Sequence, residues 1–269
     1  SSNLRDNNAE YTKLKKFVDN LNQLENMLLP SDSDLGKFIG RFFNSLQDVS
    51  SRPDDISSRS IVIENGKALA NSFNSYDMQL KSFQSTANKE TETNLSELNE
   101  TLKQLAQVNK LIMSGGSKNS SPDILDARDQ LLSKLSNLID FSVDYGKSGE
   151  AKITTGNSGN GKLLLEDTNF SILTHTIQEN KIVFNVNRDA KTTALNSFSS
   201  GILSGIKNFY DFSSDVQSEI NDLARRVARD FNEIQKIGID LNGKIGSSMF
   251  SINSMEAKVN ENNNSNFNV

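Results

Sequence analysis

Apolar residues in this chain recur at steps of three and four over most of its length, and at steps of two over one internal stretch. The first rhythm predicts amphipathic helices and the second predicts strands. Leu14, Phe17, Leu21, Leu24 and Leu28 place a helix over about residues 8–28, ending before Pro30. Ser31 is the expected cap of a second helix, with Asp34 as a capping-box partner. That helix runs to about Val49 and carries Leu35, Phe38, Ile39, Phe42, Phe43 and Leu46 on one face. Gly36 and Gly40 leave room there for another backbone to approach. The longest pattern runs from about Asp55 to Ile112, with no proline and Gly66 as its only glycine. Its stripe is Val62, Leu69, Phe73, Tyr76, Leu80, Phe83, Ala87, Leu95, Leu98, Leu102, Leu105, Val108 and Ile112, mostly at heptad spacing. Between Ala87 and Leu95 the register needs two steps of four through Thr91, which marks a stutter or a break in packing. A continuous helix here would span roughly 85–90 Å and imply a rod-shaped bundle; a break near residues 86–94 is the alternative.

After Ser114-Gly115-Gly116-Ser117, Ser121 is placed to cap a further helix, with Pro122 at its first position and Leu125, Leu131, Leu132, Leu135 and Leu138 along it. From Phe141 the period becomes two. Phe141–Tyr145, Lys162–Glu166, Ile172–Ile177 and Ile182–Val186 read as strands, with Ala151–Thr155 a weaker one. The chain then returns through Gly201-Ile-Leu203-Ser-Gly205-Ile206 to a last helix bearing Val216, Ile220, Leu223, Val227, Phe231 and Ile234. Gly238 is expected to end it in a left-handed cap. The expected fold is mainly α: an elongated helical bundle with very long helices plus a small antiparallel β insert. Residues 1–140 and 197–250 form the helical rod in this reading, 141–196 the β-rich insert, and 251–269 a polar tail or the start of a further domain.

Composition narrows the function more than the fold. The chain has 269 residues, 35% of them hydrophobic, with no Trp and no Cys. Its mean hydropathy is -0.51 and its pI about 5.1. Zero Cys excludes disulfides and thiolate chemistry. A net charge of -5, with the charges interspersed, argues against a nucleic-acid partner. No apolar run approaches a membrane span, and the apolar stripes lack the basic face of an interfacial helix. No cleavable signal peptide is evident. The chain opens Ser1-Ser2-Asn3 with no Met, which points to an upstream N-terminus.

Candidate chemistry is sparse. Gly156-Asn-Ser-Gly-Asn-Gly161-Lys162-Leu163 matches a P-loop except at its last position, where a hydroxyl should meet magnesium. Leu163-Leu164-Leu165-Glu166 then reads as a strand rather than the helix such a loop must open, so a Gly/Asn hairpin turn is the better reading. Asp240-Leu241-Asn242-Gly243 lacks the carboxylate that a calcium loop needs at its twelfth position, where Ser251 stands, and reads as a tight turn. His175 is the sole histidine and is placed on a strand surface. Asp126, Arg128 and Asp129 on one helix read as a structural ion-pair network. No catalytic, metal or cofactor residue is assigned, and no enzyme activity is expected.

Four blocks in order carry a family resemblance. They are Phe42-Phe43-Asn44 followed by Arg52-Pro53 and Ala68-Leu69-Ala70-Asn71-Ser72-Phe73; Asp126-Ala-Arg128-Asp129-Gln130-Leu131-Leu132; Gly201-x-Leu203-x-Gly205-Ile206; and Asp230-Phe231-Asn232 followed by Gly238-x-Asp240-Leu241-Asn242-Gly243. Together they resemble the hook-associated protein family of the hook–filament junction of bacterial flagella, over roughly residues 8–251. The resemblance implies a structural adaptor joining hook to filament. It implies as partners copies of itself in a ring, the hook protein, the next hook-associated protein and a flagellar export chaperone. It implies a secreted, extracellular location in the flagellum. The family's Asn-rich first segment and its returning C-terminal helix are not found, so an internal piece is expected. Phe209-Tyr210-Asp211 stands where the family usually carries an Arg-Asp pair. Other readings are a flagellin-like or other hook-associated axial protein, a secreted coiled-coil adhesin or translocator, and, remotely, a nucleotide binder using Lys162.

Overall fold

A computed structural model describes residues 2–28, 34–115, 121–195, 197–239 and 243–251. Its spine is α3, Ile56–Gly115, one uninterrupted helix of 60 residues. At the α-helical rise that is about 90 Å. The stutter is absorbed without a break. Ala87, Thr91 and Leu95 are all buried, and the Thr91 hydroxyl donates to the Ala87 carbonyl at 2.9 Å, so a polar side chain is satisfied inside the seam. The expected stripe from Val62 to Ile112 is the buried face, with Phe83 and Val108 only partly covered. Asp55 caps α3, accepting from the Ser57 and Ser58 amides. The Ser58 hydroxyl and the Ser57 amide bonding it hold its carboxyl below the usual carboxylate range.

The other helices gather around that face. α2, Leu35–Ser51, lies on the N-terminal stretch of the spine, and α4, Pro122–Leu138, on its C-terminal stretch. α5, Ile202–Ile237, is 36 residues long and packs along α3. α1, Ser2–Leu28, packs against α4 and α5 and reaches the spine through an ion pair of Lys16 with Glu90 at 2.7 Å. Asp34 itself is the cap of α2, accepting from the Gly36 amide at 2.9 Å, rather than the partner of a cap at Ser31, which lies outside the described residues. An Asp carboxylate caps as well as a Ser hydroxyl, so the helix starts three residues later than expected. The cap of α4 is Ser121, as the sequence predicts. Gly36 and Gly40 meet no other backbone. The close approach falls instead at Gly205 of α5, where a Cβ would lie 2.5 Å from the Lys13 carbonyl of α1. Gly201, at φ +87, caps α5 and packs on the Leu138 backbone.

Between α4 and α5 lie two antiparallel sheets. The first holds β1 (Phe141–Tyr145), β2 (Ala151–Thr155), β3 (Leu163–Glu166) and β4 (Asn169–Phe170), in that order. The second holds β5 (Ile172–Gln178), β6 (Lys181–Arg188) and β7 (Lys191–Leu195). The hairpins of the second sheet turn through Glu179-Asn180 and Asp189-Ala190, all at positive φ, the two-residue turns whose twist suits a hairpin. β4 and β7 escape the sequence reading because one is two residues long and the other carries its edge on threonines rather than apolar residues. The sheets share one core with the helices: Ile153, Leu165, Leu173 and Phe184 pack in the same cluster as Leu98, Leu105, Leu135 and Ile206. A second, smaller cluster of Phe42, Val62, Leu69, Phe73 and Phe231 lies toward the N-terminal end of α3.

Polar side chains on the apolar stripe fasten the sheets to the spine. Asn99 accepts from the Leu173 amide and donates to the Leu173 carbonyl, at 2.8 and 2.9 Å. Fully buried Asn109 accepts from the Ala151 amide at 2.8 Å and donates to the Ala151 and Asp167 carbonyls at 2.7 and 2.8 Å. Each amide side chain thereby acts as a short stretch of neighbouring strand. Buried Asp140, just after α4, accepts from the Ser199 and Ser200 amides and so holds the segment that leads into α5. Replacing Asn109 by Ala strands the buried amide and carbonyl of Ala151, so the Asn109→Ala chain should lose about 2–4 kcal/mol of stability in chemical denaturation.

Candidate functional site: an apolar groove beside the second core

The smaller cluster is roofed incompletely. α2 contributes Phe43 and Leu46, α5 contributes Leu223, Val227, Phe231 and Ile234, and the turn beyond α5 contributes Ile239. Together they enclose an open groove of about 840 Å³, with Arg226 and Asp230 at its rim. The groove arises from register. Phe42 points into the core and stacks edge-on against Phe231 at 5.1 Å, which turns its neighbour Phe43 outward on the same helix. Phe43 is 52% exposed, so it does not share the inner face the sequence assigned to it. Around the groove Ile234, Ile237, Ile239 and Ile245 are 69, 83, 71 and 75% exposed. That is a dense set of large aliphatic side chains left in water over few residues, where scattered single ones are the norm. A second outward face runs along α1, where Leu4, Tyr11, Leu14, Val18 and Leu28 are exposed at heptad spacing. Its inner face is Ala9, Asn20 and Leu24, so Leu14 belongs to the outer stripe instead.

Of the remaining residues singled out from sequence, Arg128, Gly201 and Gly205 make contacts between elements. Arg128 donates to the Gly149 carbonyl at 2.8 Å, pairs with Asp129 at 2.8 Å and lies 4.5 Å over the Tyr145 ring, tying α4 to the β1–β2 hairpin. Asp126 is exposed and stands outside that pair. Asn44 is exposed on α2. Gly201 and Gly205 seat α5 on α4 and α1. Asp240, Leu241 and Asn242 lie outside the described residues, while Gly243 sits at φ +79 in open space. Ile239 and Ile245, on either side, form an antiparallel bridge. Gly238 ends α5 at φ -75 and ψ 155, extended rather than left-handed, because the chain passes straight into that bridge.

The loop of Gly156–Lys162 joins two strands and opens no helix. Its Lys162 amide is bound to the Thr155 hydroxyl at 2.8 Å, and a Cβ on Gly161 would lie 1.7 Å from the Thr155 carbonyl, so the loop folds on itself as a hairpin. His175 is half-buried against the spine, with Nε2 2.8 Å from Asn88 Oδ1, and burial pushes its pKa down. Asp211 spans α5 and β6: it accepts from Lys207 at 2.6 Å and from the Ile182 amide at 3.2 Å. Burial alone would raise the Asp77 carboxyl, but hydrogen bonds from Lys81, Gln217 and Asn221 outweigh it and hold it below the usual range, coupling α3 to α5. Among the described residues no group of three or more His, Cys, Asp or Glu side chains converges as metal ligands would, and no helix is long and apolar enough to cross a membrane.

A spine of this length, clad by helices and bearing apolar faces outside, defines a long-helix bundle with a small β insert. Residues 21–250 match the family described as flagellar hook-associated protein FlgK helical domain, and the chain belongs to that family. It is 28% identical over 282 residues to flagellar hook-associated protein 1 of Bacillus subtilis strain 168, covering 95% of this chain and 55% of that protein. With flagellar hook-associated protein 1 of Escherichia coli K12 it shares 27% identity over 262 residues, covering 94% of this chain and 47% of that one. The chain thus spans about half the length of the curated relatives it matches. The solved structure of the flagellar hook junction protein FlgK from Burkholderia pseudomallei superposes with a TM-score of 0.81 at 24% identity, covering 92% of this chain and 46% of that one, and shares its fold.

Groove and core respond differently to substitution. Ile237→Ser should change stability by less than about 0.5 kcal/mol, as a surface exchange does. Phe42→Ala, in the adjoining cluster and fully buried, should cost about 3–5 kcal/mol in the same denaturation experiment.

Proposed function

We propose that this chain is the helical part of a structural adaptor at the hook–filament junction of the bacterial flagellum, acting by packing rather than by catalysis. The apolar groove beside the second core carries the proposal. Exposed Ile234, Ile237 and Ile239 are costly on an isolated subunit and useful on one that assembles. Membership of the hook-associated family supplies the setting. In this reading residues 1–140 and 197–250 act as the rod, residues 141–196 as a β-rich side element and residues 251–269 as a polar tail or the start of a further domain. Copies of the subunit pack side by side in a ring, one edge of the ring meeting the hook protein and the other the next hook-associated protein. An export chaperone attends the chain before assembly, and its place is outside the cell, in the flagellum. A chain with no Cys has no thiol to mispair on the way.

The full-length gene product, but not residues 1–269 alone, should form rings or cap isolated hooks, as seen by electron microscopy. A strain deleted for the gene should carry hooks without attached filaments. Normal filaments on the hooks of that strain would overturn the proposal.

A further inference from the structure

Beyond α5 the chain doubles back and is fastened to the rod at several points. The Gly246 amide donates to the Gly238 carbonyl at 2.9 Å, next to the bridge between Ile239 and Ile245. Gly246 is pressed on the end of α5 so closely that a Cβ there would lie 2.1 Å from the Gln235 carbonyl. Next comes a clamp. Asn232 of α5 is buried; its Oδ1 accepts from the Met249 and Phe250 amides at 2.9 and 3.0 Å, and its Nδ2 donates to the Phe250 carbonyl at 2.8 Å. One side chain therefore satisfies both amides and one carbonyl of an irregular segment. The apolar side completes the fastening. The Phe250 ring sits 5.6 Å from Phe42 and 5.7 Å from Phe231, in edge contact with both. Met249 fills the notch left by Gly66, where a Cβ would lie 2.2 Å from its Cε.

From this geometry we propose that residues 243–251 form a latched strap that sets the direction in which the chain leaves the rod. Asn232 is its positioning residue and Gly66 its seat. Hydrophobic contact alone would let Phe250 roll over the cluster, since such contact has no direction. The paired amide bonds remove that freedom, because they fix the backbone of Met249 and Phe250 to a single orientation on α5. Ser251 is thus held on a rigid mount rather than on a tether. The latch also gives a physical role to Phe231-Asn232 and Met249-Phe250, the two ends of one clasp. It is a property of the isolated chain, whatever that chain assembles into, so it stands or falls apart from the junction role.

The absence of native Cys allows clean spin labelling. Labels at Lys89→Cys and Ser251→Cys, both exposed, place one probe on α3 about 35 Å along the helix from Gly66 and the other at the end of the strap. A narrow distance distribution by double electron–electron resonance is expected. Asn232→Ala should broaden it and should speed hydrogen exchange at the Met249 and Phe250 amides by about tenfold to a hundredfold. Exchange around Leu98, in the other core, should change less than about threefold. Asn232→Asp keeps the acceptor and loses the donor, so its effect should be intermediate; it also serves should the Ala variant fail to fold. A broad distribution in the parental chain, or unchanged exchange at Met249 and Phe250 in the folded variants, overturns the latch.

Discussion

A single helix of 60 residues cannot be hidden inside a globular core, and the rest of this structure answers that constraint. The apolar stripe of α3, from Val62 to Ile112, is about 75 Å long and must be covered along its whole length. α2 covers the first part and α4 a later part, α5 packs along α3 with α1 laid on it, and the two sheets close the C-terminal half. Coverage by separate pieces gives two hydrophobic clusters rather than one. It also explains the polar residues on the stripe. Helix-to-helix cover needs only interdigitating side chains, but a sheet laid on a helix brings backbone amides and carbonyls with it. Asn99 and Asn109 meet those groups, and Asn232 does the same for the strap.

The long helix, its stripe, the cap at Ser121 and five of the seven strands between α4 and α5 were legible because each rests on local chemistry. Periodicity reports which face of a helix is buried; it does not report where that face stops. Phe43 shows the limit. It stands one residue from Phe42 and shares its composition, and only the packing of Phe231 against Phe42 decides which ring goes inside. Leu14 fails for the same reason on α1: Ala9 and Asn20 lie against the neighbours, and the heptad of larger residues faces out.

The glycines and the asparagines carry the other part that sequence could not supply. Close approach was expected at Gly36 and Gly40 and is found at Gly66 and Gly205, since whether a missing Cβ matters depends on what comes within reach from far along the chain. The Asn clamps left a faint signal. Asn109 interrupts the stripe between Leu105 and Ile112, a place where a polar residue must have a partner. That signal says a partner exists without saying that it is Ala151. The groove had no such signal, since it is made of residues that read as ordinary core.

The rod exists only if α3 runs unbroken through the stutter at Thr91. Small-angle X-ray scattering of the chain tests that most directly. A continuous spine predicts a maximum dimension of about 90 Å or more. A helix folded back at residues 86–94 would make the chain compact, with a radius of gyration near about 18 Å, and that result would contradict a continuous spine.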